Sequence, residues 1–562
     1  MFSIRGVKSQ KVSGGGFVLP SVVIAGVILL ALVAASLSIS ATTYNSLKSQ
    51  YYNREARNAA EAGLVHAKDC ISKTVDNRPS WSDPNKLYTG TSCLGAAAPC
   101  ENDECYVTDD GKIKSYYSVR VRHTDNSAIK LMSEGVACVK RPDGSCGQSY
   151  IETRALDLAA DKGSFSKLWS GWSRICAAAA LDERVYCWGS NNNGELGDGA
   201  GGYGVRVTTP KSIDYSGIFS DKTIKHISLG GSHTCAIASD DKVYCWGAGP
   251  YGALGTGSPT APWTFQGTPI PIDYSGVLSG KTVKYLSASK GFTCVIASDD
   301  KVYCWGNNIH GVVGDGTETH AFAPVAVDDS GVLSGKTIKQ LVTGYFHACV
   351  LASDDKVYCW GHNSKGQLGD NSIAGWNREA LVPVAVDHSG VLAGKTIKKI
   401  SSKGYHVCAI ASDDKLYCWG YNSDGQLGDG TTVDSNVPVA VDHSGALSGK
   451  TIKQLVTGPK HTCVLASDDK AYCWGDNDGA LGDGGWDSSS VPIPIDDSGA
   501  LSGKTIKQLG TLSSATCALA SDNRIYCWGD NYSGHLGNGS TTTSYVPVAV
   551  DDSGIPSSEY YY

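Results

Sequence analysis

The chain has 562 residues, enough to bury more than one core. Its net charge of −7, with acids and bases interspersed, argues against a nucleic-acid partner, which favours a basic face. Twenty Cys at periodic positions, against two Met, point to a disulfide framework and an oxidising compartment.

Residues 1–16 are polar and basic, carrying Arg5, Lys8 and Lys11, and end in Gly14-Gly15-Gly16. Phe17 opens an apolar run that continues to Ala41. About 20 helical residues rise ~30 Å, the thickness of a bilayer's hydrocarbon. A membrane span over 17–41 is expected, with the basic flank cytoplasmic and the rest exported. Ser46 to Val75 contains no Pro, one Gly (Gly63) and many helix formers, so a single long helix is expected over 17–75. A signal peptide cleaved after Ser40 and a plain single-span anchor are the competing readings.

The Gly16-Phe17 step, followed by Arg57-Asn58-Ala59-Ala60-Glu61-Ala62-Gly63-Leu64, resembles a type IV minor prepilin over residues 14–75. The resemblance implies a leader over 1–16 and peptidase cleavage between Gly16 and Phe17. It implies partnership with other pilins and the pilus assembly machinery through the helix, and residence in the inner membrane before assembly. Most pilins carry Glu at the fifth mature position, where this chain has Ser21. Serine cannot pair with an N-terminal amine inside an apolar filament core. Some tip pilins lack that Glu as well, so the departure implies a tip or initiating subunit.

Residues 76–160 change texture. Asn77-Arg78-Pro79 and Asp83-Pro84 read as loops, and alternating runs follow at Tyr116 to Val121, Ile129 to Val139 and Tyr150 to Leu158. A small antiparallel sheet packed on the long helix is expected, an α+β domain like a pilin head. Cys138 and Cys146 flank a Pro-Asp-Gly turn and are expected to bridge a hairpin. Cys70, Cys93, Cys100 and Cys105 allow three connectivities. No Cys-x-x-Cys pair or suitably spaced His marks a zinc site.

From 164 to 562 one unit repeats. Tyr-Cys-Trp-Gly occurs seven times, with Trp188, Trp246, Trp305, Trp360, Trp419, Trp474 and Trp528 spaced 54 to 59 residues apart. A unit of that length suits one four-stranded blade, and seven close a β-propeller without exposed sheet edges. The full unit reads Lys-Thr-Ile-Lys-Gln-Leu, Gly-x-x-His-x-Cys-x-Leu-Ala-Ser-Asp-Asp-Lys-Val-Tyr-Cys-Trp-Gly, Asn-x-x-Gly-x-Leu-Gly-Asp-Gly, a variable loop, then Pro-Val-Ala-Val-Asp. This resembles the regulator of chromosome condensation family of seven-bladed propellers. The fold class expected for the whole chain is mainly β: a seven-bladed propeller preceded by a long helix and a small α+β domain.

Six blades place two Cys ten residues apart: Cys235 and Cys245, Cys294 and Cys304, Cys349 and Cys359, Cys408 and Cys418, Cys463 and Cys473, Cys517 and Cys527. The first blade has Cys176 and Cys187, with one extra residue in its turn. A three-residue loop centred on Asp240 sets Ala238 against Lys242 and Cys235 against Cys245, in a non-hydrogen-bonded pair close enough to bridge. A disulfide is expected within each of the seven hairpins. The first hairpin begins at Leu168-Trp169-Ser170 without a Pro-Val-Ala-Val strand before it. Val546-Pro547-Val548-Ala549-Val550 is left over at the other end, so the last strand is expected to complete the first blade.

His233, His347, His406 and His461 each stand two residues before a Cys, where other blades carry Arg174, Phe292 and Ala515. The family resemblance implies a structural role there, not a metal ring. The paired Asp residues, such as Asp240 and Asp241, lack the spacing of a calcium loop and are expected to serve the turn. With no hydrolase, metalloprotease or phosphate-loop motif, neither enzymatic activity nor a cofactor is expected. Binding is expected on the variable loops, with Tyr251, Trp263, Phe265, Trp376 and Trp486 as candidates, because exposed Trp and Tyr anchor interfaces. The expected function is a pilus-tip adhesin whose propeller holds a protein or glycan ligand on a target surface. The alternative is a membrane-anchored propeller that scaffolds or inhibits an extracellular enzyme. The family's founding member is an exchange factor for a small GTPase, a role that export and disulfides disfavour here.

Overall fold

The computed structural model describes the backbone of six strands between 87 and 157, and residues 164–258, 265–372 and 378–555. Two compact units divide between Ala159 and Ala160. Gly16, Phe17 and the expected helix over 17–75 lie outside the described residues. Among the described residues no helix is long and apolar enough to cross a membrane.

The first unit contains one antiparallel meander. Glu104–Asp109, Ile113–Thr124, Ala128–Lys140 and Cys146–Asp157 follow one another in the sheet, with Cys100–Glu101 at one edge and Leu87–Tyr88 pairing with Ile113–Thr124. The alternating runs at Tyr116 to Val121 and Ile129 to Val139 fall inside these strands, and the run from Tyr150 is strand as far as Asp157. Cys100 stands opposite Cys105 in the first hairpin. Cys138 faces Ser149 and Cys146 faces Lys140, so the backbone register does not set Cys138 against Cys146. Their side chains, with Cys70 and Cys93, lie outside the described residues.

The second unit is seven four-stranded antiparallel sheets, each built from one contiguous stretch of chain. Blade 2 is typical: Ile224–Leu229, His233–Ala238, Val243–Ala248 and Phe265–Pro271. Its second strand is buried throughout and its third is buried except at Ala248, whereas the first is buried in part and the fourth buries only Pro269. The first strands of successive blades neighbour one another around the ring, blade 7 against blade 1 included.

The Tyr-Cys-Trp-Gly phrase performs four separate tasks. Tyr244 donates its hydroxyl to Asp240 Oδ2 at 2.7 Å and so locks the turn within its own blade. Asp241 occupies the left-handed region at φ 60°, as do Asp300, Asp355, Asp414, Asp469 and Asn523 in blades 3 to 7, where short polar side chains tolerate it best; the longer turn of blade 1 places Glu183 there at φ 58°. Cys245 faces Cys235 in register and is bonded to it, with Cα atoms 4.1 Å apart. The other hairpins are bridged in the same way. Cys176 is bonded to Cys187, Cys294 to Cys304, and Cys349 to Cys359. Cys408 is bonded to Cys418, Cys463 to Cys473, and Cys517 to Cys527. The extra residue in the turn of blade 1 leaves Cys176 directly opposite Cys187. All seven Cα separations are 4.0 to 4.1 Å.

Trp works between blades. Trp246 Nε1 donates to Glu195 O in blade 1 at 2.8 Å, and each later Trp does the same to the loop of the blade before it. In every loop the second Gly of Gly-x-Leu-Gly, or its counterpart, lies beneath that indole. A Cβ on Gly428 would stand 2.5 Å from Trp474 Nε1, at a φ of +74° that already favours glycine. The phrase's own Gly, Gly247 at φ +100°, lets the chain pass so close that a Cβ would lie 2.6 Å from Ser232 O.

One expectation fails. Ser544–Ala549 pairs with the third strand of blade 7, not with blade 1. Blade 1 carries its own fourth strand, Arg206–Ser212, whose buried Pro210 takes the place of the Pro in Pro-Val-Ala-Val. Ring closure therefore uses no exchanged strand. Trp188 Nε1 of blade 1 donates to His535 O of blade 7 at 3.1 Å, and Phe165 N to Asn523 O at 2.7 Å. Gln508 clasps both backbone groups of Leu168, at 3.1 and 2.7 Å.

The buried histidines join blades too. His406 Nε2 lies 2.9 Å from Thr462 Oγ1, and His461 Nε2 3.0 Å from Thr516 Oγ1. Thr462 has one proton and gives it to Gln426 O, so it accepts from His406 Nε2–H. His406 Nδ1 is then bare and buried, and its ring is neutral. Burial pulls His233, His347, His406 and His461 down to a pKa of about 3.

Two outcomes are expected. Gln426 O accepts from both Trp474 and Thr462, whereas Gln367 O accepts from Trp419 beside Val407. Trp419→Phe orphans its carbonyl and should cost about 1 kcal/mol more than Trp474→Phe in denaturant unfolding. The buried histidines also set a sign for pH. Their folded pKa lies below the unfolded value near 6.5, so the unfolded chain takes up protons first. Stability should be flat above that value and fall on acidification below it, by up to about 1.4 kcal/mol per pH unit for each histidine. His406→Gln should flatten the slope of unfolding free energy between pH 6.5 and 5.

Candidate functional site

The antiparallel order sends the loops between first and second strands, and between third and fourth, to one face. The Asp-Asp-Lys turns and the connections between blades lie on the other. The two faces differ in chemistry. On the turn face the same ion pair repeats: Lys225–Asp241, Lys284–Asp300, Lys339–Asp355, Lys398–Asp414 and Lys453–Asp469, at 2.5 to 2.6 Å. Exposed pairs like these satisfy one another and add little stability.

The loop face is irregular. Its centre is formed by the short loops that precede the second strands. Trp172 of blade 1 meets Tyr345 of blade 4, ring centroids 4.4 Å apart. Blades 1 and 4 are not neighbours, so this contact crosses the axis of the ring. Tyr345 stacks on Tyr405 of blade 5 at 4.7 Å and 16°, and Phe346 lies 6.4 Å from Tyr405. Lys290 of blade 3 sits over Tyr345 at 4.9 Å and over Phe346 at 5.8 Å, a favourable cation–π arrangement. Trp172 is buried and the other three rings are half-exposed, so the cluster closes the axis and still offers ring surface to solvent.

Lys403 lies beneath it. It stands in blade 5, where blades 1, 2, 4 and 6 have Gly171, Gly230, Gly344 and Gly458. Its ammonium reaches the carbonyls of Ser170, Gly171 and Thr511, at 2.9, 3.2 and 2.5 Å, in blades 1 and 7. The stem keeps some exposure while the charge is enclosed. Burial, and then the charge of Arg174, pull its pKa down to about 7. Arg174 takes the histidine position of blade 1 and donates to three backbone carbonyls of blade 2: Gly230 O at 3.0 Å, Gly231 O at 3.1 Å and His233 O at 2.6 Å. Both cations therefore tie blade 1, the start of the ring, to its neighbours and to the far side.

Comparison with known proteins agrees with this architecture. A model of the RCC1-like domain matches residues 184–559. The chain belongs to the RCC1-like domain family. The ultraviolet-B receptor UVR8 of Arabidopsis thaliana is 28% identical over 381 residues, covering 67% of this chain and 79% of the receptor. The E3 ubiquitin-protein ligase HERC2 of Mus musculus is 29% identical over 454 residues, covering 79% of this chain and 9% of the ligase. Human WBSCR16 has a similar fold, with TM-score 0.56, 21% identity and coverage of 66% of this chain and 94% of that one. So has yeast Prp20, solved with Kap60, with TM-score 0.56, 21% identity and coverage of 69% and 85%.

Of the expected ligand-binding residues, Tyr251, Phe265 and Trp486 lie in or beside the outer loops of this RCC1-like propeller. Trp263 and Trp376 lie outside the described residues. Tyr251 is 43% exposed, held at φ 57°, with its ring 4.5 Å from that of His320. Phe265 is 50% exposed at the start of the fourth strand of blade 2, and Trp486 is 75% exposed on blade 6. Tyr251 and Phe265 share one blade and Trp486 stands several blades away, so they form no single patch. The residues that do converge, Trp172, Tyr345, Phe346, Tyr405, Lys290 and Lys403, belong to the inner loops. Only Lys403 carried a sequence signal, as a departure from the Gly that four other blades place three residues before the histidine position; the aromatic residues follow no repeat.

Lys403→Met removes all three hydrogen bonds at the axis and leaves the carbonyls of blades 1 and 7 without that donor. It should lower unfolding free energy by about 2 kcal/mol or more, while Lys356→Met on the exposed turn face should leave it within about 0.5 kcal/mol.

Proposed function

We propose that this chain is a surface adhesin: an exported propeller, carried by a minor pilin at the tip of a type IV pilus, that holds a protein partner on its loop face. The observation that carries the binding assignment is the contrast between the two faces. The turn face repeats one self-satisfied ion pair from blade to blade. The loop face concentrates Tyr345, Phe346 and Tyr405 with Lys290 at its centre, the residue types that supply most interface energy. A protein partner is favoured because fold relatives act as protein binders. Prp20p of Saccharomyces cerevisiae is described for its binding to Gsp1p and histones, and Prp20 is known with Kap60 bound.

Delivery to the surface rests on the sequence. The basic leader, the Gly16-Phe17 step, the apolar run and the Ala-Ala-Glu-Ala segment support a minor pilin, and Ser21 supports the tip. Seven bridged hairpins support passage through an oxidising compartment. Binding rather than catalysis is the reading, since the conspicuous buried polar groups, the four histidines and Lys403, are spent on holding blades together.

Immunogold labelling of sheared surface filaments, with antibody against residues 164–562, tests delivery. Label at filament ends is expected; antigen confined to the membrane fraction would sink the pilus assignment. Adhesion tests the face. Lys290→Glu should weaken attachment to the target surface by roughly tenfold, about 1.4 kcal/mol, with Lys356→Glu on the turn face without effect. The reverse ranking would move the binding site to the other face.

A further inference from the structure

His310, His362 and Glu379 converge at the junction of blades 3 and 4. His310 lies in the loop after the third strand of blade 3. His362 ends the third strand of blade 4, Val357–His362, and Glu379 opens its fourth, Glu379–Ala385, directly opposite. His310 Nδ1 is 2.7 Å from Glu379 Oε1, with the two side chains 27% and 22% exposed. The imidazole rings stand 4.4 Å apart at 40°. One ligand atom from each of the three residues lies within 4.8 Å of the other two.

We propose that these three residues form a binding site for a divalent metal ion of the zinc class, with the next coordination position open. Two imidazole nitrogens and one carboxylate oxygen make a borderline donor set, which suits zinc and its transition-metal neighbours. Magnesium and calcium prefer all-oxygen shells. Three protein ligands are also the number found where a fourth position is kept for water or an incoming group.

The surroundings favour a metal over a simple ion pair. A single carboxylate can pair with one imidazolium, and two imidazolium rings at this spacing would repel. His362 Nδ1 lies 3.4 Å from Ser364 Oγ. Gln367 Nε2, its amide oriented by Lys365 N donating to Gln367 Oε1, lies 3.3 Å from the same Nδ1 and donates to it, so the neutral ring carries its proton on Nε2 and binding a metal there releases or relocates that proton.

The site adjoins the aromatic centre of the loop face. Phe346 lies 5.2 Å from His310 edge-on, and Tyr405 lies 6.3 Å from His362. The open position thus borders the ring surface, where a carboxylate or imidazole on a docking protein could complete the shell. The metal site itself does not depend on the adhesin assignment.

Titration of zinc chloride into the untagged, chelator-treated, oxidised full-length chain tests it, by calorimetry and by the visible spectrum of the cobalt(II) form. One equivalent should bind, with an absorption intensity typical of four- or five-coordinate cobalt. His310→Gln, His362→Gln and Glu379→Gln should each weaken binding by roughly tenfold or more. Melting in chelator should stay near wild type for each variant. Should His362→Gln fail to fold, His310→Gln, on a loop, decides alone. Absence of stoichiometric binding, or binding that survives these substitutions, would overturn the proposal.

Discussion

The ring depends on one hydrogen bond repeated seven times, from an indole N–H to a carbonyl in the loop of the blade before. The indoles are fully buried, so an unpaired N–H would carry the full penalty of a desolvated donor. The bond forces the two blades to a single spacing, because the indole must pass over a residue that has no Cβ. Glycine is thus required in the loop by a tryptophan of the next blade. Local turn geometry and packing between blades impose the same choice at the same position, the kind of agreement between levels that gives a chain one structure.

The two kinds of staple divide the labour. Disulfides, Tyr–Asp bonds and left-handed Asp residues act within a blade and make each hairpin rigid. Trp, His and Arg side chains act between blades and involve no covalent bond. Blade 1 departs most from the repeat: it holds Arg174 in place of histidine and a longer turn between Cys176 and Cys187. At the same place Lys403 arrives from blade 5. Arg174 ties blade 1 to blade 2, while the Lys403 ammonium bridges carbonyls of blades 1 and 7, the junction where the chain ends are brought together. Such donors form stronger bonds than neutral ones, which suits a seam that lacks a shared strand.

Much of the propeller was legible in the repeat. Counting outward from Asp240 was enough to set Cys235 against Cys245, because an antiparallel hairpin with a known loop has only one register. The same count holds for Cys304, Cys359, Cys418, Cys473 and Cys527, each ten residues after its partner. The phase of the blade was harder to read. Any four consecutive strands of a periodic chain make a plausible blade, and Pro-Val-Ala-Val lies between two hairpins. Pro210, embedded in Arg206–Ser212 without the usual neighbours, was the residue that marked a fourth strand in blade 1. The inner loops were illegible for a different reason. Trp172 and Tyr345 are far apart in sequence and meet only because the ring has closed. Likewise His310, His362 and Glu379 form no motif by spacing, since two strands and a blade junction must form before they meet.

Because every blade is one unbroken stretch of chain, the ring has no topological beginning. A chain opened at any of the other connections between blades, with its present ends joined, would specify the same seven junctions in the same cyclic order. The fold can therefore be entered from any side, and which blade carries the chain ends is a free variable. Moving that entry point around the circle would leave the aromatic centre and the outer loops unaltered.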